Sequence, residues 1–245
     1  MLNVLYNICT SLFPVFSKLL VIFIVTLLPI LVGLLIWDKL PDKIATHFDM
    51  NNQPNGWTGK EFAVFGIPII MALLQVICIF CTHNDPKKTN IGVKAFSFVI
   101  WIIPACSLIV MLSCYGYALG YEIGVSTIAG LFVGILFIIL VFLLPRNKQN
   151  CTFGYRCSWT LNDEGNWAYT NKTAGYCFIA GGILVIAVTL LKKPILMLPI
   201  IIIMALVPFV FSYHYYKTHV TDRNVTLENT TIKEDCKSQE NENNG

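Results

Sequence analysis

Leu19-Leu-Val-Ile-Phe-Ile-Val-Thr-Leu-Leu-Pro-Ile-Leu-Val-Gly-Leu-Leu-Ile-Trp37 is an uncharged run of 19 residues, closed by Lys18 before it and Asp38 after it. As a helix rising about 1.5 Å per residue, it spans roughly 30 Å, the thickness of the hydrocarbon core of a bilayer. Comparable runs cover about 62–81, 95–115, 123–144, 174–191 and 195–216. The expected fold is therefore an all-α integral membrane protein, a bundle of six transmembrane helices. Pro29, Pro68, Pro104, Pro199 and Pro208 lie inside these runs. A soluble helix would break at each of them, whereas a membrane bundle tolerates them as kinks.

Composition supports this reading. The chain has 245 residues, of which 56% are hydrophobic and 13% charged, against roughly 25% charged in soluble domains. The charges cluster between the apolar runs. A net charge of +3 is too small to imply direct binding of nucleic acid. The composition also excludes a secreted disulfide scaffold, a disordered protein and a coiled coil.

Orientation follows from the basic residues, because cytoplasmic loops retain Lys and Arg. With the amino terminus inside, twelve of the 17 basic residues fall on the inner side: Lys18, Lys87, Lys88, Lys94, Arg146, Lys148, Arg156, Lys172, Lys217, Arg223, Lys233 and Lys237. The remaining five, Lys39, Lys43, Lys60, Lys192 and Lys193, fall outside. Both termini are thus expected in the cytoplasm, with loop 38–61 outside and loop 145–173 inside. Trp37, Trp57, Trp159 and Trp167 lie near the expected interfaces, where an amphipathic indole is favoured; Trp101 lies deeper.

The chain divides into an amino-terminal segment (1–17), the first two membrane helices with their outer loop (18–82), the third and fourth helices (83–144), an inner loop with the fifth and sixth helices (145–216), and a polar tail (217–245). Segment 1–17 lacks the basic residues of a signal peptide. Its Leu2, Leu5, Cys9, Leu12, Phe13 and Phe16 recur at helical spacing, as in a surface-lying amphipathic helix or an extension of the first span. The Asn-, Thr- and Glu-rich tail has too little apolar content to fold.

Two polar stretches carry what chemistry there is. In the outer one, Pro54-Asn55-Gly56 has the composition of a turn that would return Trp57 to the membrane surface. His47 and Asp49 are two residues apart, short of the three protein ligands a metal site needs, so no metal and no cofactor is expected. In the inner one, Trp159 and Trp167 flank a short acidic turn beside Arg156 and Lys172. That pattern fits a membrane-surface segment with indoles and cations at headgroup depth, or a surface that docks a cytoplasmic protein.

No Gly-x-Ser-x-Gly, His-Glu-x-x-His or P-loop occurs, so enzymatic chemistry is not expected. No apolar run contains an interior Asp, Glu, Lys or Arg, which disfavours a proton-coupled transporter. A transporter or channel for a small solute or peptide is the alternative reading. Gln75, the deepest strongly polar side chain, reads as an interhelical hydrogen bond, and Cys78 and Cys81 as small packing residues.

Both stretches, in this order and spacing, resemble the SdpI-type membrane immunity proteins. The outer loop is similar to that family's Leu-Pro-x-x-Ile-x-x-His-(Trp/Phe)-Asn-x-x-Gly-x-Pro-Asp-Gly-Trp at Leu40, Pro41, Ile44, His47, Phe48, Pro54, Gly56 and Trp57. It departs at Asp49, Asn52 and Asn55, where the family carries Asn, Gly and Asp; Asn is the residue after Gly that best tolerates a left-handed conformation. The inner loop is similar to Gly-Ile-Arg-Thr-Pro-Trp-Thr-Leu, a Trp eight positions on, then Lys-Thr-His-Arg. Gly154, Arg156, Trp159, Thr160, Leu161, Trp167 and Thr170 match, while Cys157-Ser158 replace Thr-Pro, Tyr169 replaces Lys, and Asn171-Lys172 replace His-Arg.

The resemblance implies a multi-pass protein of the bacterial cytoplasmic membrane that gives immunity to a secreted antimicrobial peptide. It also implies, in some systems, a second role of holding a cytoplasmic transcriptional repressor at the membrane. On this reading His47, Phe48, Asp49, Pro54, Gly56 and Trp57 would contact the toxin or another partner. Gly154, Arg156, Trp159, Thr160, Leu161, Trp167, Thr170 and Lys172 would contact a repressor or membrane lipid.

Overall fold

A computed structural model describes the backbone of residues 2–221 and the side chains of 17–219. Its long helices are α1 (Leu2–Leu35), α2 (Ile67–His83, preceded without a break by a wider turn over Phe62–Gly66), α3 (Val93–Ala118), α4 (Val125–Leu143), α6 (Glu164–Leu190) and α7 (Met197–Tyr215). A short helix, α5, covers Ser158–Asn162. Among the described residues six helices are long and apolar enough to cross a membrane, and the chain is a multi-pass membrane protein. The backbone of 2–16 is continuous with the first span. After α7 the chain stays helical through Tyr216–Thr221, so only the part of the expected tail beyond 221 lies outside the described residues.

Packing divides the helices into two groups. One comprises α1, α2 and α3, the other α4, α6 and α7, and α3 against α4 joins them. The closest contact is α4 on α6, where Gly134 and Gly182 meet backbone to backbone. A Cβ added at Gly182 would lie 2.8 Å from the Gly134 carbonyl oxygen, and one added at Gly134 would lie 3.0 Å from that of Gly182. Small residues let membrane helices approach this closely and gain dispersion contacts that lipid cannot supply.

The first group is tied by polar groups within the membrane span. Ser107 Oγ donates to the Thr26 carbonyl at 2.8 Å and the Tyr115 hydroxyl to the Pro29 carbonyl at 3.1 Å. Pro104, inside α3, has no N–H for the Ile100 carbonyl four residues earlier. Fully buried Gln75 on α2 supplies the missing donor, its Nε2 lying 3.0 Å from the Ile100 oxygen. Pro208 also lies inside its helix, and Pro68 lies inside a continuous helical run, directly after the wide turn over Phe62–Gly66, but Pro199 falls in the first turn of α7. There a missing N–H disrupts little, and the kink expected at Pro199 becomes a helix start.

Two departures from the sequence reading matter for the site. Between α1 and α2 the loop is a hairpin: β1 (Lys43–Phe48) and β2 (Pro54–Gly59) pair antiparallel, with Ala45 opposite Trp57 and His47 opposite Gly56. Buried Leu40 and Ile44 seat the hairpin on Val64, Met111 and Tyr115. In addition, α6 starts ten residues before the expected 174. Asp163 caps it, its Oδ1 accepting the Asn166 N–H at 2.6 Å, which satisfies one of the helix's orphan donors.

Gly182→Val is expected to force α4 and α6 apart and cost about 1–3 kcal/mol, read as a lowered unfolding temperature in detergent, whereas Ala180→Val on the exposed side of α6 should leave it unchanged. Gln75→Leu should cost about 1 kcal/mol in the same assay. Wild-type stability in that variant would show that the Ile100 carbonyl finds another donor.

Candidate functional site

Polar chemistry sits at the two ends of the bundle. At the hairpin end the turn is made by Asp49–Gln53, not by Pro54-Asn55-Gly56, which belong to β2. Asp49 Oδ1 accepts the N–H groups of Asn51 and Gln53, each at 2.8 Å, and Asn52 takes the left-handed conformation at φ 62°. The turn docks on the first turn of α4: Ser126 N–H donates to Asn52 Oδ1 and Ser126 Oγ to the Asp49 carbonyl, both at 2.7 Å.

Most of the outer-loop candidates are therefore engaged in building the hairpin. Phe48 packs edge-on to Tyr117, with ring centroids 4.9 Å apart. Gly56 lets the strands close, since a Cβ there would meet His47 Cβ at 2.9 Å. His47 is exposed and its Nδ1 lies 2.5 Å from Asn55 Oδ1, so it pairs across the hairpin while Asp49 serves the turn. Trp57 is 56% exposed. Beside it, Lys60 lies over the Trp37 ring at 4.7 Å and donates to the carbonyls of Trp37 and Leu40. His47 and Trp57 are the two candidates presented outward at this end.

At the opposite end the loops 84–92 and 144–157 and the starts of α5 and α6 form a continuous hydrogen-bonded lattice. Asp85 links the two loops: its Oδ2 accepts Thr152 Oγ1 at 2.6 Å and the Cys151 N–H at 2.9 Å, and its Oδ1 accepts the Lys87 N–H at 2.7 Å. Asn147 Oδ1 takes the Gly92 N–H at 2.7 Å, and Asn90 Nδ2 donates to the Gln149 carbonyl at 2.7 Å. Gln149 pairs with the Lys87 ammonium and donates to the Thr160 carbonyl. Deeper, buried Asn166 donates to the Ser212 carbonyl on α7 and accepts from Ser212 Oγ and Thr170 Oγ1.

This lattice changes the reading of the inner motif. Trp167 is buried inside the protein, its Nε1 donating to the Asn147 carbonyl at 2.9 Å. Trp159 is half-buried against Phe209 and Tyr213 and donates to Ser212 Oγ at 2.9 Å. Thr160 Oγ1 accepts the Cys157 N–H in a capping box around α5, so the chain turns there without the family's proline. Gly154, at φ 136°, could not carry a side chain without meeting the Trp167 ring at 2.7 Å. Asn171 Oδ1 accepts the Tyr155 N–H and its Nδ2 donates to the Trp167 carbonyl. A neutral amide thus fills the position where the family motif has His. Leu161 is half-buried, Arg156 is exposed and folds back to donate to the Cys151 carbonyl, and Lys172 is exposed.

Sequence reasoning missed Asp85, Asn147, Gln149, Asn150 and Ser212. Asn147-Lys-Gln-Asn150, directly after an apolar run, was the available signal, since amides there can bond either to water or to backbone. Burial tends to raise the Asp85 carboxyl, but the hydrogen bonds from Thr152 and from the N–H groups of Lys87, Cys151 and Thr152 together outweigh it and hold the carboxyl below its ordinary value. Its stabilisation is therefore present above the unfolded value of about 3.8 and is lost as pH falls through the lower folded value. Asp85→Asn is expected to cost about 2 kcal/mol at pH 7 and to flatten the stability profile below pH 4. Equal acid sensitivity in variant and wild type would refute that role.

Residues 24–72, spanning the hairpin, match the model of a domain of unknown function, DUF1648. Residues 146–212, spanning the lattice, match that of the SdpI/YfhL protein family. The chain is 28% identical over 208 residues to Immunity protein SdpI of Bacillus subtilis (strain 168), covering 82% of this chain and 97% of that protein. No solved structure matches. The inner lattice lies inside the region matched by that family's model and the relative aligns over nearly its whole length, so the chain is similar to the SdpI/YfhL proteins at both of its polar ends.

Proposed function

We propose that this protein confers immunity on a bacterium against a secreted, SDP-type peptide toxin, acting in the cytoplasmic membrane with both termini inside and the hairpin outside. The observation that carries the reading is the near full-length similarity to Immunity protein SdpI. Exposed His47 and Trp57 on the hairpin would meet the toxin, because a large indole near headgroup depth offers contact area to an amphipathic peptide. Phe48, Asp49, Pro54 and Gly56 would act through the hairpin's shape.

The finer role, holding a cytoplasmic repressor, goes to the lattice end. There Arg156 and Lys172 are exposed, while Gly154, Trp159, Thr160, Trp167 and Thr170 hold the surface in place.

Survival of a sensitive, toxin-naive bacterium expressing the chain tests this. Wild type and Arg156→Ala are expected to protect, and Trp57→Ala to lower the tolerated toxin concentration by about tenfold, the scale of losing one anchor aromatic. Absence of protection at normal membrane expression, or a topology map placing His47 in the cytoplasm, would overturn the proposal.

A further inference from the structure

At the lattice end, a cleft of about 520 Å³ opens between the start of α3 and the end of α4. Lys94 and Arg146 line it, and no Asp or Glu does. The lattice leaves both cations out: neither has a hydrogen bond or an ion pair among the described residues. No side chain caps the first turn of α3, so its positive dipole end adds to the same field. Apolar side chains flank the cations and open outward, with Val93 83% and Phe142 55% exposed.

We infer that this cleft binds one anionic phospholipid, its phosphodiester held between Lys94 and Arg146 and an acyl chain lying along Val93 and Phe142. Charge complementarity selects the anion, because two unpaired cations share a cleft without a carboxylate. The walls select a lipid over a free anion. Exposed apolar side chains at the ends of two membrane-spanning helices lie where acyl chains are, and inorganic phosphate would leave them uncovered. Basic pockets between membrane helices hold anionic headgroups by this combination. The floor is preset, since the Gly92 N–H bonded to Asn147 Oδ1 fixes α3 to the end of α4.

The test is native mass spectrometry of the full chain in detergent, titrated with phosphatidylglycerol or phosphatidylcholine. One phosphatidylglycerol should bind in preference to phosphatidylcholine. Lys94→Gln and Arg146→Gln should each weaken phosphatidylglycerol binding about fivefold without changing phosphatidylcholine binding. Lys148→Gln and Lys217→Gln, which remove the same charge from the same end, should leave it unchanged. Equal binding of the two lipids, or equal losses in the control variants, would overturn the site. Displacement by inorganic phosphate would overturn the lipid assignment in favour of a free anion.

Discussion

Hydrocarbon offers no hydrogen bonds, so every backbone N–H and C=O within it must find a partner inside the protein. The rest of the structure depends on that constraint. It makes the spanning segments helical, and it explains the few polar side chains between them. Pro104 leaves the Ile100 carbonyl without its usual donor, and Gln75 reaches across from α2 to supply one. Where no polar group is needed, as between α4 and α6, glycines bring the backbones together instead.

Outside the hydrocarbon the constraint relaxes, and the two ends use that freedom differently. At one end a hairpin projects from an apolar seat and presents His47 and Trp57. At the other, amides, hydroxyls and the carboxylates of Asp85 and Asp163 bond almost entirely to each other and to backbone. Buried groups paired in this way hold a surface in one shape. Motif residues such as Gly154, Thr160 and Trp167 thus build the surface, and Arg156 and Lys172 are exposed on it.

Local signals competed with tertiary ones in both polar stretches. Pro54-Asn55-Gly56 has turn composition, yet the chain turns one step earlier. The Asp49 carboxylate closes two N–H groups there, Asn52 accepts a left-handed backbone, and α4 offers Ser126 as a dock. Hydropathy starts the fifth span at 174, yet α6 starts at Glu164. The intervening Asn166, Thr170 and Asn171 are polar by residue type but fully paired in place.

The sequence by itself determined the six spans and the existence of two polar ends, because partition into hydrocarbon depends on the composition of each segment and little on its neighbours. The family motifs could be found in it for the same reason, being contiguous. Only the tertiary structure decided that Trp167 faces inward, that Asp85 joins loops more than 60 residues apart, and that Lys94 and Arg146 share a cleft. Those facts depend on which distant groups meet, and a buried hydrogen bond is specified by both partners together.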